Sequence, residues 1–167
     1  MKNKILLILG FVLPATAFPL ESIYVGVQAG QVFLSPRVTP TFNDALGFGG
    51  ELGFRTNPML LVSLRSQISS HSGGAGTSLW ANTLTADVLV GNVYDIEIFA
   101  GAGPGFYSFS SNGTARFGLV AEVFGDLMVS DVLRLGLATR YNAIFNTATD
   151  EAGFWSIMMR VGFSFNN

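Results

Sequence analysis

The side chains best suited to covalent chemistry in this chain are His71, its only histidine, and the neighbouring Ser72. An imidazole within hydrogen-bond reach of a hydroxyl can activate that hydroxyl as a nucleophile. The glycine-rich segment at residues 73–76 would hold such a pair poorly. We therefore expect His71 to be a solvated loop residue, and we predict no catalytic site.

Metal and cofactor sites are not expected either. One histidine and scattered acids lack the spacing of metal ligands, and the chain contains no cysteine. The glycines at positions 101, 103 and 105 are not followed by the helix that a nucleotide-binding motif requires.

Charged side chains form a second pattern, because they share one parity of an alternating sequence. Between Leu46 and Arg55 one parity reads Leu, Phe, Gly, Leu, Phe, and the other reads Gly, Gly, Glu, Gly, Arg. An even balance of charges on such a face favours ion pairing, since unpaired buried charges are costly. Hairpin geometry predicts that Glu51 lies opposite Arg65 and that Asp126 lies opposite Arg134. The polar parity predicts a structural ionic network inside a barrel, made of five acids and five arginines: Glu51, Arg65, Asp87, Glu97, Arg116, Glu122, Asp126, Arg134, Arg140 and Arg160.

Eight alternating runs of 10 to 14 residues position these side chains. Glycines and β-branched residues lie throughout the runs, so alternation describes them better than a helical period does. The lengths suit tilted strands that cross a bilayer, and short connections alternate with longer ones, as in outer-membrane barrels. The predicted strands are Ile23–Leu34, Leu46–Arg55, Met59–Ser69, Leu79–Val90, Ile96–Ser108, Ala115–Met128, Val132–Asn142 and Gly153–Phe165. Pro104 cannot donate to a strand ladder, so it predicts a bulge or a locally weakened strand pair.

The other parity is almost entirely apolar, which predicts the surroundings of the barrel. Mean hydropathy is +0.45 and only 12% of residues are charged, whereas about 25% is usual for a soluble domain. A soluble lipocalin-like barrel would be apolar inside, the opposite of this pattern. Asn82 is an exception on the apolar parity, and we expect it near a membrane interface. Aromatic residues predict two girdles at headgroup level, an outer one of Phe33, Trp80, Phe106, Tyr141 and Trp155 and a periplasmic one of Phe54, Tyr94, Phe163 and Phe165.

The N-terminus predicts export. Met1–Lys4 is basic, Ile5–Leu13 is apolar, and Ala15–Ala17 supplies the small residues of a cleavage site. This order indicates a signal peptide at residues 1–17 and a single mature domain at 18–167. The nine basic residues include Lys2 and Lys4, the only lysines, so the mature chain keeps seven arginines against eleven acids. A net charge near −4 without a basic patch argues against nucleic-acid binding.

The last run, Trp155–Phe165, alternates apolar residues and ends on an aromatic, with Asn166 and Asn167 after it. With the signal peptide, the eight strands and the ionic interior, it resembles the small eight-stranded outer-membrane β-barrels of Gram-negative bacteria, of the OmpA transmembrane domain and OmpX type. The resemblance implies an all-β, eight-stranded antiparallel up-and-down transmembrane barrel with short periplasmic turns and longer extracellular loops. It also implies that Trp155, Phe163 and Phe165 act as a signal for the barrel-assembly machinery, although the two terminal asparagines depart from the family pattern.

The resemblance implies a function outside the lumen. The expected product is a monomer in the outer membrane, surrounded by lipopolysaccharide, with a plugged interior, no cofactor, and a structural or surface-recognition role through loops that contact a host or surface ligand. Two alternatives stay open. One is a lipid-modifying enzyme similar to lipid A deacylases or acyltransferases, in which His71 would act and Pro104 would admit lipid. The other is a narrow pore.

Overall fold

The computed structural model describes residues 20–34, 43–72, 77–110, 115–145 and 152–166. The predicted signal peptide lies outside the described residues. No helix within those ranges is long and apolar enough to cross a membrane.

Eight antiparallel strands account for nearly all of the described chain. They are β1 (Ser22–Leu34), β2 (Ala45–Asn57), β3 (Leu60–His71), β4 (Thr77–Val93), β5 (Ile96–Phe109), β6 (Ala115–Met128), β7 (Leu133–Ile144) and β8 (Ala152–Asn166). All eight predicted strands are confirmed, most of them within two residues at each end. The main difference is β4, which continues past Val90 because the register with β5 shifts between Leu89 and Gly91 and the ladder then resumes.

The strands follow one another round a closed barrel, and β8 pairs with β1 from Asn166 opposite Ser22 to Phe154 opposite Leu34. Closure leaves no unpaired strand edge among the eight strands, a requirement for strands that cross a bilayer. Starting at Ser22 and moving from partner to partner round the barrel ends at Val32, so the ladder climbs by ten residues in one circuit. This stagger tilts the strands and leaves a narrow interior that side chains can fill.

The two ends of the barrel differ. The turn end, which is the periplasmic end, carries both chain termini of the barrel and the short connections at residues 58–59, 94–95 and 129–132. The loop end, which is extracellular, carries the connections at residues 35–44, 72–76, 110–114 and 145–151. This asymmetry confirms the predicted arrangement of outer-membrane barrels.

Pro104 produces an interruption without a bulge. Opposite it, the β4–β5 ladder passes from Thr83 paired with Gly105 to Ala86 paired with Ala102, and the register is the same on both sides. The pairing with β6 is regular, with Pro104 opposite Leu119. The prediction of a locally weakened pair is therefore confirmed, and the bulge alternative is wrong, because the outward-facing proline lacks only one ladder donor.

The outward side chains form the predicted apolar belt. Exposed leucine, valine, isoleucine and aromatic side chains occur on every strand, and aromatics concentrate towards the strand ends. Near the loop end, Trp80, Phe106, Tyr141 and Trp155 are exposed. Phe163 and Phe165 are exposed near the turn end. A closed barrel that is apolar outside and ionic inside is a transmembrane barrel of the outer-membrane type.

Candidate functional site: the ion-paired interior

The interior is organised round Arg65, whose guanidinium touches three carboxylates. Its Nη2 lies 2.8 Å from Glu51 Oε1 and 3.2 Å from Asp87 Oδ2, and its Nη1 donates to Glu122. Glu51 lies directly opposite Arg65 in the β2–β3 ladder, as the hairpin pattern predicts. Glu122 is on β6, three strands away, so this contact crosses the lumen.

Two further arginines extend the cluster. Arg160 Nη2 lies 2.9 Å from Glu51 Oε1, and its Nη1 lies 3.1 Å from Asp126 Oδ1. Arg140 Nε donates to Glu122 Oε2 at 2.8 Å. We call the resulting set the central network: Glu51, Arg65, Asp87, Glu122, Asp126, Arg140 and Arg160. Each of its seven side chains is at least 95% buried.

Hydroxyls and rings complete the surroundings of the central network. Ser63 and Thr85 donate to Asp87 Oδ2 at 2.9 and 3.0 Å. The Arg160 guanidinium lies 4.0 Å from the centre of the Phe124 ring. Phe124 also stacks on Phe99 with 5.0 Å between ring centres. Ring faces attract cations, so the Phe124 ring stabilises the Arg160 guanidinium in addition to its carboxylate partners.

A second cluster, the turn-end clamp, closes the periplasmic side and consists of Arg55, Glu97 and Arg134. Arg55 donates to both carboxylate oxygens of Glu97 at 2.9 and 3.0 Å, and Arg134 donates to Oε2 at 2.6 Å. Arg55 was missed as a network member, although it continues the polar parity of Glu51 along β2. That parity was the signal that could have found it.

The predicted pairing of Asp126 with Arg134 is wrong. Asp126 lies opposite Gly136, and Arg134 lies opposite Met128. The prediction centred the turn on Ser130, whereas the connection comprises residues 129–132, which moves the register by two residues. Asp126 therefore faces Arg160, and Arg134 reaches Glu97 on β5.

Arg116 is the predicted network member that stands apart. It lies on β6 opposite Tyr107, close to the loop end. Among the described residues, no carboxylate forms an ion pair with it. The sequence parity correctly gave its side of the strand, but its height in the barrel separates it from the central network.

The interior is not purely polar. Two apolar layers, which the parity argument did not anticipate, lie beside the central network. The lower layer is Leu61, Phe99, Phe124 and Ala138. It is interleaved with the network, because the Arg65 and Arg160 guanidiniums both lie over the Phe124 ring. The upper layer, nearer the loop end, is Val32, Leu79, Ala81, Tyr107, Phe109, Ile144 and Phe154. Buried side chains therefore occupy the described interior at these levels.

Comparisons with known proteins agree on the fold. Neisserial surface protein A superposes with a TM-score of 0.72 at 15% identity, covering 86% of this chain and 97% of that one. OprG from Pseudomonas aeruginosa gives 0.60 at 13% identity, covering 90% and 99%. Ail, the attachment invasion locus protein of Yersinia pestis, gives 0.60 at 11% identity, covering 87% and 99%. The chain has the fold of the small eight-stranded outer-membrane β-barrels.

These likenesses are confined to structure. No family model matches the sequence, and no curated protein matches it. The residues of the central network and the turn-end clamp therefore rest on the geometry of this barrel alone.

His71 is not the solvated loop residue that the sequence suggested. It is the last residue of β3, pairs with Thr77 and is only 3% exposed. Its Nε2 lies 2.9 Å from Ser69 Oγ and its Nδ1 lies 2.9 Å from the backbone oxygen of Asn43. The glycine-rich signal that suggested a loop begins only two residues later.

The contact between Ser69 and His71 has the geometry of a nucleophile and its base, with a carbonyl orienting the ring. Both side chains are nevertheless buried, with Ser69 2% exposed. Within the described part of the chain, no carboxylate contacts the imidazole. Ser72, the partner that the sequence suggested, is exposed and contacts the Asn43 amide at 3.4 Å instead.

Proposed function

We propose that this barrel works in the outer membrane of a Gram-negative bacterium as a surface-recognition protein, with its loops as the contact region and its interior as a structural plug. The observation that carries the proposal is the close packing of the central network against two apolar layers. Because buried side chains occupy the described interior at mid-depth, the extracellular loops are the parts best placed to meet a partner.

The loops supply a suitable contact surface. Four connections gather at the loop end, and in this fold the loops vary while the barrel holds them. Ail, which shares the fold at 11% identity, has been solved in complex with the heparin analogue sucrose octasulfate. That complex supports the idea that a small barrel of this kind can present a ligand site, and we propose a host or surface ligand for this chain.

Loop replacement tests the proposal. Residues 35–44 and 145–151 would be exchanged, singly and together, for short Gly-Ser turns in cells that display the protein. Adhesion to host cells and to immobilised heparin would be measured against the intact protein. Reduced adhesion with unchanged surface display is expected. Full adhesion by the double replacement would overturn the recognition role.

A narrow pore is the first competing function. The cavity that Tyr24, Leu61 and Phe99 line at the lower apolar layer is about 20 Å³, which is room for a single water. Purified protein in a planar bilayer should therefore show no stable, large conductance. A steady conducting state of the intact barrel would refute the plug.

A lipid-modifying enzyme is the second competitor, and we propose that the protein is not one. Ser69 and His71 are buried on the inner face of β3, where a bulky acyl substrate cannot approach the hydroxyl without rearrangement. Comparison of lipid A from cells with the intact gene, the deletion and His71→Ala provides the test. Acyl chains that change with the intact gene and not with His71→Ala would establish an enzyme.

The route to the membrane is also part of the proposal. We propose that residues 1–17 are removed and that Trp155, Phe163 and Phe165 guide β8 to the barrel-assembly machinery. The three side chains share the outward face of β8 and are 52%, 49% and 55% exposed. N-terminal sequencing of the protein from outer-membrane fractions should begin at Phe18. The mature protein should migrate as a monomer.

A further inference from the structure

The outward surface of β2, β3 and β4 contains one row that breaks the apolar belt. Gly50, Ser66 and Asn82 pair consecutively across these strands, and all three are exposed. The row ends in Val27 on one side and Phe106 on the other. We call Gly50, Ser66 and Asn82 the polar row.

The polar row lies between two rows of larger apolar side chains. Phe48, Ile68 and Trp80 lie on the loop side, and Leu52, Leu64 and Leu84 lie on the turn side. A Cβ placed on Gly50 would meet nothing closer than 3.9 Å, so the space above this residue is open. Two strand spacings of about 4.8 Å make the polar row roughly 10 Å long.

The side-chain hydrogen-bonding groups of the polar row have no partner in the part of the chain that the structure describes. Among the described residues, neither the Asn82 amide nor the Ser66 hydroxyl makes a hydrogen bond. A polar group in hydrocarbon has lost its hydrogen bonds to water, and leaving it without a new partner is strongly unfavourable. The surrounding medium must therefore satisfy them, and at this position the medium is lipid.

The depth of the polar row in the membrane indicates which region of a lipid molecule contacts it. Asn82 lies one outward position below Trp80, a member of the outer aromatic girdle, on β4. Two residues along a tilted strand correspond to about 5 Å of depth. Aromatic girdles lie at headgroup level, so the polar row lies where acyl chains join the headgroup.

The chemistry of Asn82 selects among lipids. Its amide donates through nitrogen and accepts through oxygen, and the Ser66 hydroxyl does both. A diester phospholipid offers only acceptors in this region and would leave the Asn82 oxygen unpaired. Amide-linked, hydroxylated acyl chains offer donors and acceptors together. Lipid A, the anchor of lipopolysaccharide, carries such chains.

We propose that the polar row is a binding site for the amide- and hydroxyl-bearing acyl region of lipid A in the outer leaflet. The proposal rests on the outer-membrane location proposed above and names the specific lipid that the barrel holds there. A contact with a second copy of this chain through the polar row is the competing occupant, and the oligomeric state of the variants distinguishes it from lipid.

Lipid retention tests the site. The full mature protein would be placed in nanodiscs of phosphatidylglycerol and phosphatidylethanolamine with and without lipopolysaccharide, and bound lipid would be counted by native mass spectrometry. Loss of one hydrogen bond predicts that Asn82→Leu weakens lipopolysaccharide retention by about fivefold. Ser66→Ala should act in the same direction, and diester lipids should not be retained by any variant.

Thr139→Leu is the matched control, because Thr139 is a polar, exposed residue on the outward face of β7, away from the polar row. It should retain lipopolysaccharide like the parent protein. A heat-modifiable shift on gels would confirm that each variant is folded, and Ser66→Ala keeps the test available if Asn82→Leu does not fold. Equal retention by Ser66→Ala and the parent, or a dimer that Asn82→Leu abolishes, would overturn the proposal. Membrane fractionation of cells reports separately on the outer-membrane location.

Discussion

Arg65 on β3 and Glu122 on β6 are joined by a direct ion pair across the lumen, although 57 positions separate them in the chain. The contact ties opposite walls of the barrel through two fully enclosed side chains. Arg140 also donates to Glu122, and Arg65 also pairs with Glu51 and Asp87, so neither charge depends on one partner. Loss of Arg65 would leave three carboxylates without their common cation.

The first prediction concerns that cation. Arg65→Ala should lower the free energy of unfolding by about 3–5 kcal/mol, because removing one member of a buried ionic cluster leaves uncompensated charge. Urea titration of the barrel in lipid bilayers, followed by tryptophan fluorescence, would measure the change. Arg116→Ala is the control, since Arg116 forms no ion pair with a described carboxylate, and it should change stability by less than about 1 kcal/mol. Similar losses for the two variants would contradict the central role of Arg65.

The second prediction separates the turn-end clamp from the central network. Glu97→Gln removes the charge that Arg55 and Arg134 share, but these side chains are partly exposed, at 15% and 13%. Water and salt screen them, so the loss should be about 1 kcal/mol and should shrink further in high salt. The same urea titration at low and high salt would show this. A salt-independent loss as large as that of Arg65→Ala would contradict the difference between the two clusters.

The position of Arg65 illustrates what the sequence determines. Alternation assigns a side chain to the inner or outer face, and a tight turn at Asn57 and Pro58 then fixes its direct neighbour, which is why Glu51 opposite Arg65 was predictable. The longer connection between β6 and β7 does not fix the register in this way, and the partner predicted for Asp126 was therefore wrong. Contacts across the lumen depend on stagger and tilt, which no local pattern encodes. The pairing of Arg160 with Asp126 is therefore visible only in the closed barrel.

His71 shows a different limit. Composition placed it in a loop, because serines and glycines surround it, yet the ladder of β3 and β4 extends as far as His71 and Thr77. The hydrogen bonds of its ring to Ser69 and Asn43 come from residues two and 28 positions away. The second of these is set by tertiary structure, so sequence alone could not reveal that the imidazole is buried.

The third prediction concerns a glycine that accommodates an aromatic ring. A Cβ on Gly162 would lie 2.2–2.4 Å from the hydroxyl oxygen and ring atoms of Tyr24, which lies across the β1–β8 seam and also packs over Gly26 of its own strand. Gly162→Ala should therefore destabilise the barrel by about 1–3 kcal/mol through overpacking. Gly125→Ala, where the nearest atom is 3.6 Å away, should be close to neutral.

A double variant gives this prediction a sharper form. Tyr24→Leu removes the ring that the new methyl group would strike, so Gly162→Ala should cost much less in that background than in the parent. The two costs would be compared by urea titration as a double-mutant cycle. Equal costs in both backgrounds would show that the strain comes from the strand itself and not from contact with Tyr24.

The fourth prediction assigns the seal of the lumen to the upper apolar layer. Tyr107 packs edge-on against Phe154 with 5.7 Å between ring centres, and its hydroxyl donates to Asn142 at 3.0 Å. Replacing both rings by alanine removes two of the three aromatic rings of the upper layer, so water can reach the ionic groups from outside. The double variant should show brief conducting events in planar bilayers and faster hydrogen exchange of the Arg65 side chain than the parent. Glu97→Gln, which weakens only the turn-end clamp, should leave both measurements unchanged. Conduction by Glu97→Gln alone would contradict this prediction and show that the turn-end clamp closes the lumen.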